Sequence, residues 1–269
     1  EMIREAGLYV DRMSINLEMP TEKGLKLMAP EKDHESVKKP LNFINQEIQS
    51  LKQESKLIKH KPTFVPAGQS TQMVIGATPE NDFEIMSVAY KFYKDYNLKR
   101  VYYSGYIPIQ NDNSLLPQIG TKPPLVRENR LYQTDWLLRF YGFQLNEILN
   151  PNFQELDLEI DPKLSWALRN PQLFPVDINK ADYKMIIRIP GVGRQSALKI
   201  IQARKFGRLH EYQVKKMGIA FNRARHFMVC ADSPFKLGYA TMENVRAQIL
   251  QKSVSKAKNG LSNQLNLFA

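Results

Sequence analysis

The 269-residue chain has a single cysteine, Cys230. An internal disulfide is thereby excluded, a reducing compartment is expected, and no thiolate set for a metal cluster is present. Four histidines, at positions 34, 60, 210 and 226, are scattered without the close pairing that a metal site needs. No apolar run reaches membrane-spanning length, and the N-terminus has no signal-peptide apolar region. No membrane partner is therefore expected, and the cytoplasm is the expected compartment. No nucleophile-elbow pattern occurs either. Acid is scarce in the last third: residues 181–269 hold 4 of the 27 Asp+Glu but 16 of the 38 Lys+Arg. That segment carries +12 and residues 1–180 carry −1, together the formal +11 of the chain. A polyanion is the natural partner for such a segment, with binding that weakens steeply with salt.

Within the basic third lies Ile189-Pro190-Gly191-Val192-Gly193, followed by Arg194, Ala197 and Lys199. Tyr183, Ile186 and Ile187 give an apolar stripe before it. Ala197, Leu198, Ile200 and Ile201 give another after it, so a tight hairpin of two short helices is predicted. Glycine suits a turn of positive φ with close backbone approach. The second helix would aim its free amides and positive dipole end at the turn, a place for a phosphate oxygen. Residues 183–201 resemble the helix-hairpin-helix motif, which implies a grip on nucleic-acid backbone. Gly191, Val192 and Gly193, with Arg194, Lys199, Arg204, Lys205 and Arg208, are the candidate phosphate contacts. The plainer alternative is an αα-hairpin that merely needs a tight turn.

Before this, the order of elements is strand (12–18), helix (35–56), strand (71–76), helix (82–96), strand (100–106), which predicts a parallel α/β sheet. A loop spans 107–124, and a helix over 125–141 is expected to pack Leu131, Trp136 and Phe140 inward while Arg127, Arg130 and Arg139 stay at the surface. Residues 1–150 are thus read as an α/β domain, 151–176 as a connector with a short helix near 164–168, 177–230 as the helical domain with Asn179 as a cap, and 231–269 as a polar tail. Residues 209–228 repeat the hairpin rhythm without its glycine turn. Cys230, in the run Phe227-Met228-Val229, reads as a core thiol rather than a nucleophile. The chain starts at Glu1 in apolar spacing typical of a helix end, so further sequence is expected upstream.

Period-two alternation puts Ser14, Asn16 and Glu18 on one face at the carboxyl end of a parallel strand, the usual site side of such sheets. An amide beside a carboxylate suits ribose hydroxyls, and equally suits capping of neighbouring helices. Ser14-Ile15-Asn16-Leu17-Glu18 resembles the fourth-strand ribose motif of radical S-adenosylmethionine enzymes such as biotin synthase. Met73-Val74-Ile75-Gly76 followed by Glu80 resembles their fifth-strand adenine motif. Together with the hairpin, and with phrases such as Pro30-Glu31-Lys32-Asp33-His34-Glu35, the chain resembles the radical S-adenosylmethionine proteins of DNA modification and repair that are linked with uracil-DNA glycosylases. The resemblance implies the C-terminal strands and helices of a partial TIM barrel, S-adenosylmethionine held by Ser14, Asn16, Glu18, Met73, Val74, Ile75 and Gly76, a 4Fe-4S cluster, and a glycosylase-like partner. The three-cysteine cluster motif is missing from this chain. The expectation is therefore the C-terminal part of a DNA modification or repair enzyme, unable to cleave the cofactor by itself. A non-catalytic DNA-binding adaptor is the alternative. At the other end, Gln264-Leu265-Asn266-Leu267-Phe268 resembles the peptide that docks repair proteins on the bacterial sliding clamp, with Leu267 and Phe268 as apolar anchors and Gln264 at the rim.

Overall fold

The run Thr71-Gln72-Met73-Val74-Ile75, extended back to Gln69, forms the middle strand of a parallel sheet. The structure, a computed structural model, describes residues 1–54, 63–108, 116–233 and 244–251. These form two units: 1–135 with 149–156, and 136–148 with the described residues from Asp157 onward.

In the first unit, β1 (Met13–Ser14), β2 (Gln69–Ile75) and β3 (Arg100–Gly105) lie side by side in that order, both pairs parallel. The helices α1 (Met2–Gly7), α2 (Glu22–Met28), α3 (His34–Glu54), α4 (Asp82–Asp95) and α5 (Leu125–Phe140) alternate with them. The fold is mixed α/β with short parallel strands, and among the described residues the sheet does not close into a barrel. Thr71, Met73 and Ile75 of β2 and Val101 and Tyr103 of β3 are buried on one face. The Tyr103 hydroxyl reaches the Met86 sulfur of α4 at 3.5 Å, and its ring meets Tyr132 of α5 edge-on at 5.1 Å. The other face, with Gln72, Val74, Tyr102 and Ser104, is half-buried. Gln69 fixes the start of β2 from within the core, its amide donating to the carbonyls of Leu41 (3.1 Å) and Tyr96 (2.5 Å).

Several expectations shift by a residue or a face. The first strand stops at Ser14 rather than Glu18. The Met19 amide donates to Leu17 at 2.9 Å and Glu18 sits at φ 65°, so the chain turns before rejoining β2 through a Glu18–Met73 bridge. The buried stripe of α4 is Ile85, Met86, Ala89 and Phe92. Arg127 is not a surface residue: its Nε donates to the buried Asp82 carboxylate at 2.6 Å, and Asp82 also accepts from the Leu156 amide at 2.8 Å. Trp136 is half exposed, while Leu131 and Leu137 are buried.

The second unit holds α6 (Leu145–Ile148), α7 (Pro162–Arg169), the strands β4 (Val176–Asp177) and β5 (Met228–Val229), and four short helices between them. These are α8 (Tyr183–Ile186), α9 (Arg194–Ala203), α10 (Glu211–Lys215) and α11 (Phe221–Ala224). A relay of edge-on aromatic rings, Phe143, Trp166, Phe174 and Phe227, forms its spine with centroid spacings of 5.1, 5.9 and 5.2 Å. Residues expected to be a connector thus contribute core: Trp166 of α7 is buried. The parallel pair β4–β5 closes the unit, joining residues on either side of the four helices.

Candidate functional site

The turn between α8 and α9 is built by unequal glycines. Gly191 has φ +87°, and a Cβ there would lie 2.8 Å from the Ala220 carbonyl oxygen, so both conformation and space demand glycine. Gly193 is different: at φ −91° and ψ 172° it is the extended N-cap residue of α9, and a Cβ there would meet only the Tyr141 hydroxyl, at an ordinary 3.8 Å. Val192 closes the turn by donating to Ile189 at 3.0 Å, and its side chain is buried, so it offers no side-chain contact to a ligand. Among the described residues, the amides of Gly191, Gly193, Arg194, Gln195 and Ser196 donate to no protein acceptor. All but that of Gly191 are the orphan donors of a ten-residue helix whose positive dipole end lies at the turn.

A second turn supports the first. Between α10 and α11, Gly218 has φ +79°, so the repeat carries a left-handed glycine of its own, contrary to expectation. The Ala220 amide donates to the Gly191 carbonyl at 2.9 Å. From the first turn of α9, the buried Ser196 hydroxyl lies 3.1 Å from the carbonyls of both Met217 and Gly218.

Beneath the hairpin lies a lysine that sequence reasoning missed. Lys163 of α7 is only 8% exposed, and its ammonium donates to the Val192 carbonyl at 2.6 Å, 5.0 Å from the Tyr141 ring centroid. Burial pushes its pKa down to about 7, aided by the charges of Arg188 and Arg223 and opposed by Asp161. Nothing in the spacing of Pro162-Lys163-Leu164 signals this. Arg223 itself pairs with Asp161, and Arg188 with Glu147 at 2.6 Å.

The predicted cations separate into two groups. Arg194, Lys199, Lys205 and Arg208 are exposed and make no ion pair among the described residues, although Arg194 lies 5.6 Å from the Phe140 ring centroid. Arg204 is tied into the fold: Nη1 donates to the carbonyls of Ile178 (3.0 Å) and Ala181 (2.5 Å). Asn179 does not cap α8, a role taken by Asp182. Its side-chain amide instead clasps Leu209, accepting from the backbone N–H at 2.7 Å and donating to the carbonyl at 3.3 Å. Cys230 is buried, and burial raises its thiol to about 11, which keeps it protonated.

At the carboxyl end of the sheet the structure brings Glu18 onto β2, where its carbonyl accepts from the Val74 amide at 2.6 Å. Ser14 and Asn16 are exposed and hydrogen-bonded to each other at 3.2 Å. Glu18 lies 3.6 Å from the Lys32 ammonium. Met73 and Ile75 point into the core, and half-buried Val74, on the other face, packs against the cluster of Met19, Leu25 and Ala77. Gly76, at φ +82°, is crowded by Pro124, 2.9 Å from where its Cβ would stand, so packing accounts for this glycine. A cleft of about 700 Å³ opens nearby, lined by Thr21, Gly24, Thr78 and Glu80 and by none of the seven predicted cofactor residues. The Glu80 carboxylate accepts from both threonine hydroxyls. No group of His, Cys, Asp and Glu suited to a metal ion occurs among the described residues, nor does any helix long and apolar enough to cross a membrane. Gln264, Leu267 and Phe268 lie outside the described residues.

No family model, curated protein or solved structure matches the chain.

The two glycines are expected to respond differently to alanine. Gly191→Ala should cost about 2–4 kcal/mol of unfolding free energy, through positive φ and the Ala220 contact, while Gly193→Ala should cost less than about 1. Urea denaturation followed by fluorescence of Trp136 and Trp166 measures both, and equal costs would contradict the geometry.

Lys163 predicts a pH dependence. Because folding lowers its pKa, the unfolded chain binds more protons between pH 7 and about 10.5, so stability rises across that window, and the penalty is complete below pH 7. Relative to Lys163→Met, the wild type should gain on the order of 3–5 kcal/mol from pH 6.5 to 10. Parallel stability profiles would show that the amine is not held neutral.

Proposed function

We propose that the second unit is a DNA-backbone grip of the helix-hairpin-helix type. The observation that carries the reading is the row of uncommitted amides at Gly191, Gly193, Arg194 and Gln195, bordered by the exposed side chains of Arg194 and Lys199. Amides at a helix start bind phosphate oxygens, and cations around them add a charge term that ignores base sequence. The net +12 of residues 181–269 supports the same partner.

For the chain as a whole, the resemblance assigns a place in DNA modification or repair as a protein of the radical S-adenosylmethionine type. The residues of this chain do not fit the 4Fe-4S group: its one thiol is buried and held protonated, so no reaction step is derived through a cluster. For S-adenosylmethionine, Ser14, Asn16, Glu18, Val74 and Gly76 are the predicted residues with accessible surface, while Met73 and Ile75 are buried. The second reading is a non-catalytic DNA-binding adaptor, and binding of S-adenosylmethionine to this chain in equilibrium dialysis would support the first. A uracil-DNA glycosylase-like partner and docking of the Gln264–Phe268 peptide on a sliding clamp rest on the resemblance alone.

Arg194→Ala combined with Lys199→Ala should weaken binding to a fluorescent DNA duplex about tenfold or more, regardless of its sequence. The slope of log affinity against log salt should become shallower by about 2. A folded wild-type sample with no affinity for any oligonucleotide at low ionic strength would overturn the grip, and preference for RNA in competition at matched salt would reassign it.

A further inference from the structure

After α9, the chain passes through Arg204, Lys205, Phe206, Gly207, Arg208 and Leu209. Both ends of this segment are fastened. Arg204 is held by the carbonyls of Ile178 and Ala181. Leu209 is buried, clasped by Asn179, and accepts from the Ala231 amide at 2.9 Å. The four residues between them are all exposed, and Phe206 is 93% exposed. A single exposed apolar side chain is ordinary on a protein surface. An almost fully bare phenyl ring at the end of a 3-10 turn (Arg204–Phe206), between two exposed cations that make no ion pair among the described residues, on a segment fastened at both ends, is a different situation.

Resting on the backbone-grip reading, we infer that Phe206 is a base-stacking platform, and that the preferred ligand of the second unit is DNA with unpaired or unstacked bases. Lys205 and Arg208 hold the backbone on either side of the ring, and the phenyl face takes the exposed base. Aromatic faces stack on any base, so this contact adds affinity without sequence preference. Paired, stacked duplex offers no base face to the ring without unstacking, so the contact discriminates by DNA structure. The placement is consistent with one continuous track. Arg194 and Gln195 at the start of α9 and Leu198, Lys199 and Gln202 along it are exposed, and the helix is ten residues or about 15 Å long.

The test measures the affinity of the whole chain, at fixed low salt, for three labelled DNAs of one sequence: a perfect duplex, the duplex with a central unpaired bubble, and the single strand. The wild type should prefer the bubble and the single strand over the duplex. Phe206→Ala should lose about 10- to 100-fold on those two and less than about twofold on the duplex, with an unchanged melting temperature because the ring makes no core contact. Phe206→Trp should keep the preference, and its added fluorescence should be quenched on the bubble. Lys205→Ala with Arg208→Ala should weaken all three DNAs together. Duplex binding with no preference for unpaired bases, or a preference that survives Phe206→Ala, overturns the stacking role and leaves the backbone grip standing. Absence of binding to all three by the folded wild type overturns both.

Discussion

The second unit depends on one close approach, the backbone of Gly191 lying against the backbone of Ala220. Their hydrogen bond, amide of Ala220 to carbonyl of Gly191, joins two helical turns that each contain a left-handed glycine. Ser196 completes the junction by giving its hydroxyl to the carbonyls at Met217 and Gly218. These contacts use the carbonyl side of the first turn and the side chain of α9, leaving the backbone amides at the start of α9 unused. Buried polar groups in proteins are normally paired, and unpaired helix-start amides on a surface are where anions bind. The packing that fixes the hairpin is therefore also what exposes its donors.

Lys163 extends this constraint to electrostatics. Its ammonium bonds the Val192 carbonyl, in the peptide immediately before the Gly193 cap, from the buried side of the turn. An isolated buried amine loses more by desolvation than one carbonyl returns, and this lowers its proton affinity. When charged, it reinforces the positive potential of the helix start from behind; when neutral, it still holds the turn as a donor. A lysine here thus serves as a structural bolt with a charge that varies near neutral pH. An anion at the α9 amides would favour the protonated form, so ligand binding and proton uptake at Lys163 are thermodynamically linked.

Legibility in the sequence followed the range of the interaction involved. Sequence pattern located β2, β3, α4 and α5 within a few residues, the helices from apolar residues recurring over several turns and the strands from short β-branched and aromatic runs. The glycine turn was legible from its own five residues. The left-handed turn at Glu18 was not, since Ser14-Ile15-Asn16-Leu17-Glu18 alternates like a strand and its interruption depends on burial of Leu17 and pairing to β2. The faces of β2 were not legible either: period two separates Met73 and Ile75 from Val74, but only the structure shows that Met73 and Ile75 are the fully buried pair. Arg204 and Lys163 were beyond reach for a simpler reason. Charge counts treat every cation alike, and commitment to a carbonyl 20 or more residues away leaves no local trace.

That division of cations decides what the basic third can do. The charge count of the segment overstates the positive surface available to a ligand, because part of it is neutralised or tethered. Arg188 faces Glu147, Arg223 faces Asp161, Arg246 faces Asp157 and Glu159, and Arg204 is bound to carbonyls. The described acids of the segment are likewise engaged locally: Asp182 caps α8, Glu211 lies 3.8 Å from Lys215, and Asp232 accepts from the Glu211 amide. Among the described residues of the segment, the exposed cations without an ion pair are Lys184, Arg194, Lys199, Lys205, Arg208, Lys216 and Arg225, and four of these, Arg194, Lys199, Lys205 and Arg208, follow one another along α9 and the segment after it. A diffuse cloud of mobile lysines would attract any polyanion from any direction. A few cations in sequence along one rigid element, with backbone donors at its start and an aromatic ring beyond its end, instead favour a ligand whose charges recur at regular intervals beside flat apolar rings, which is the chemical description of a nucleic-acid strand.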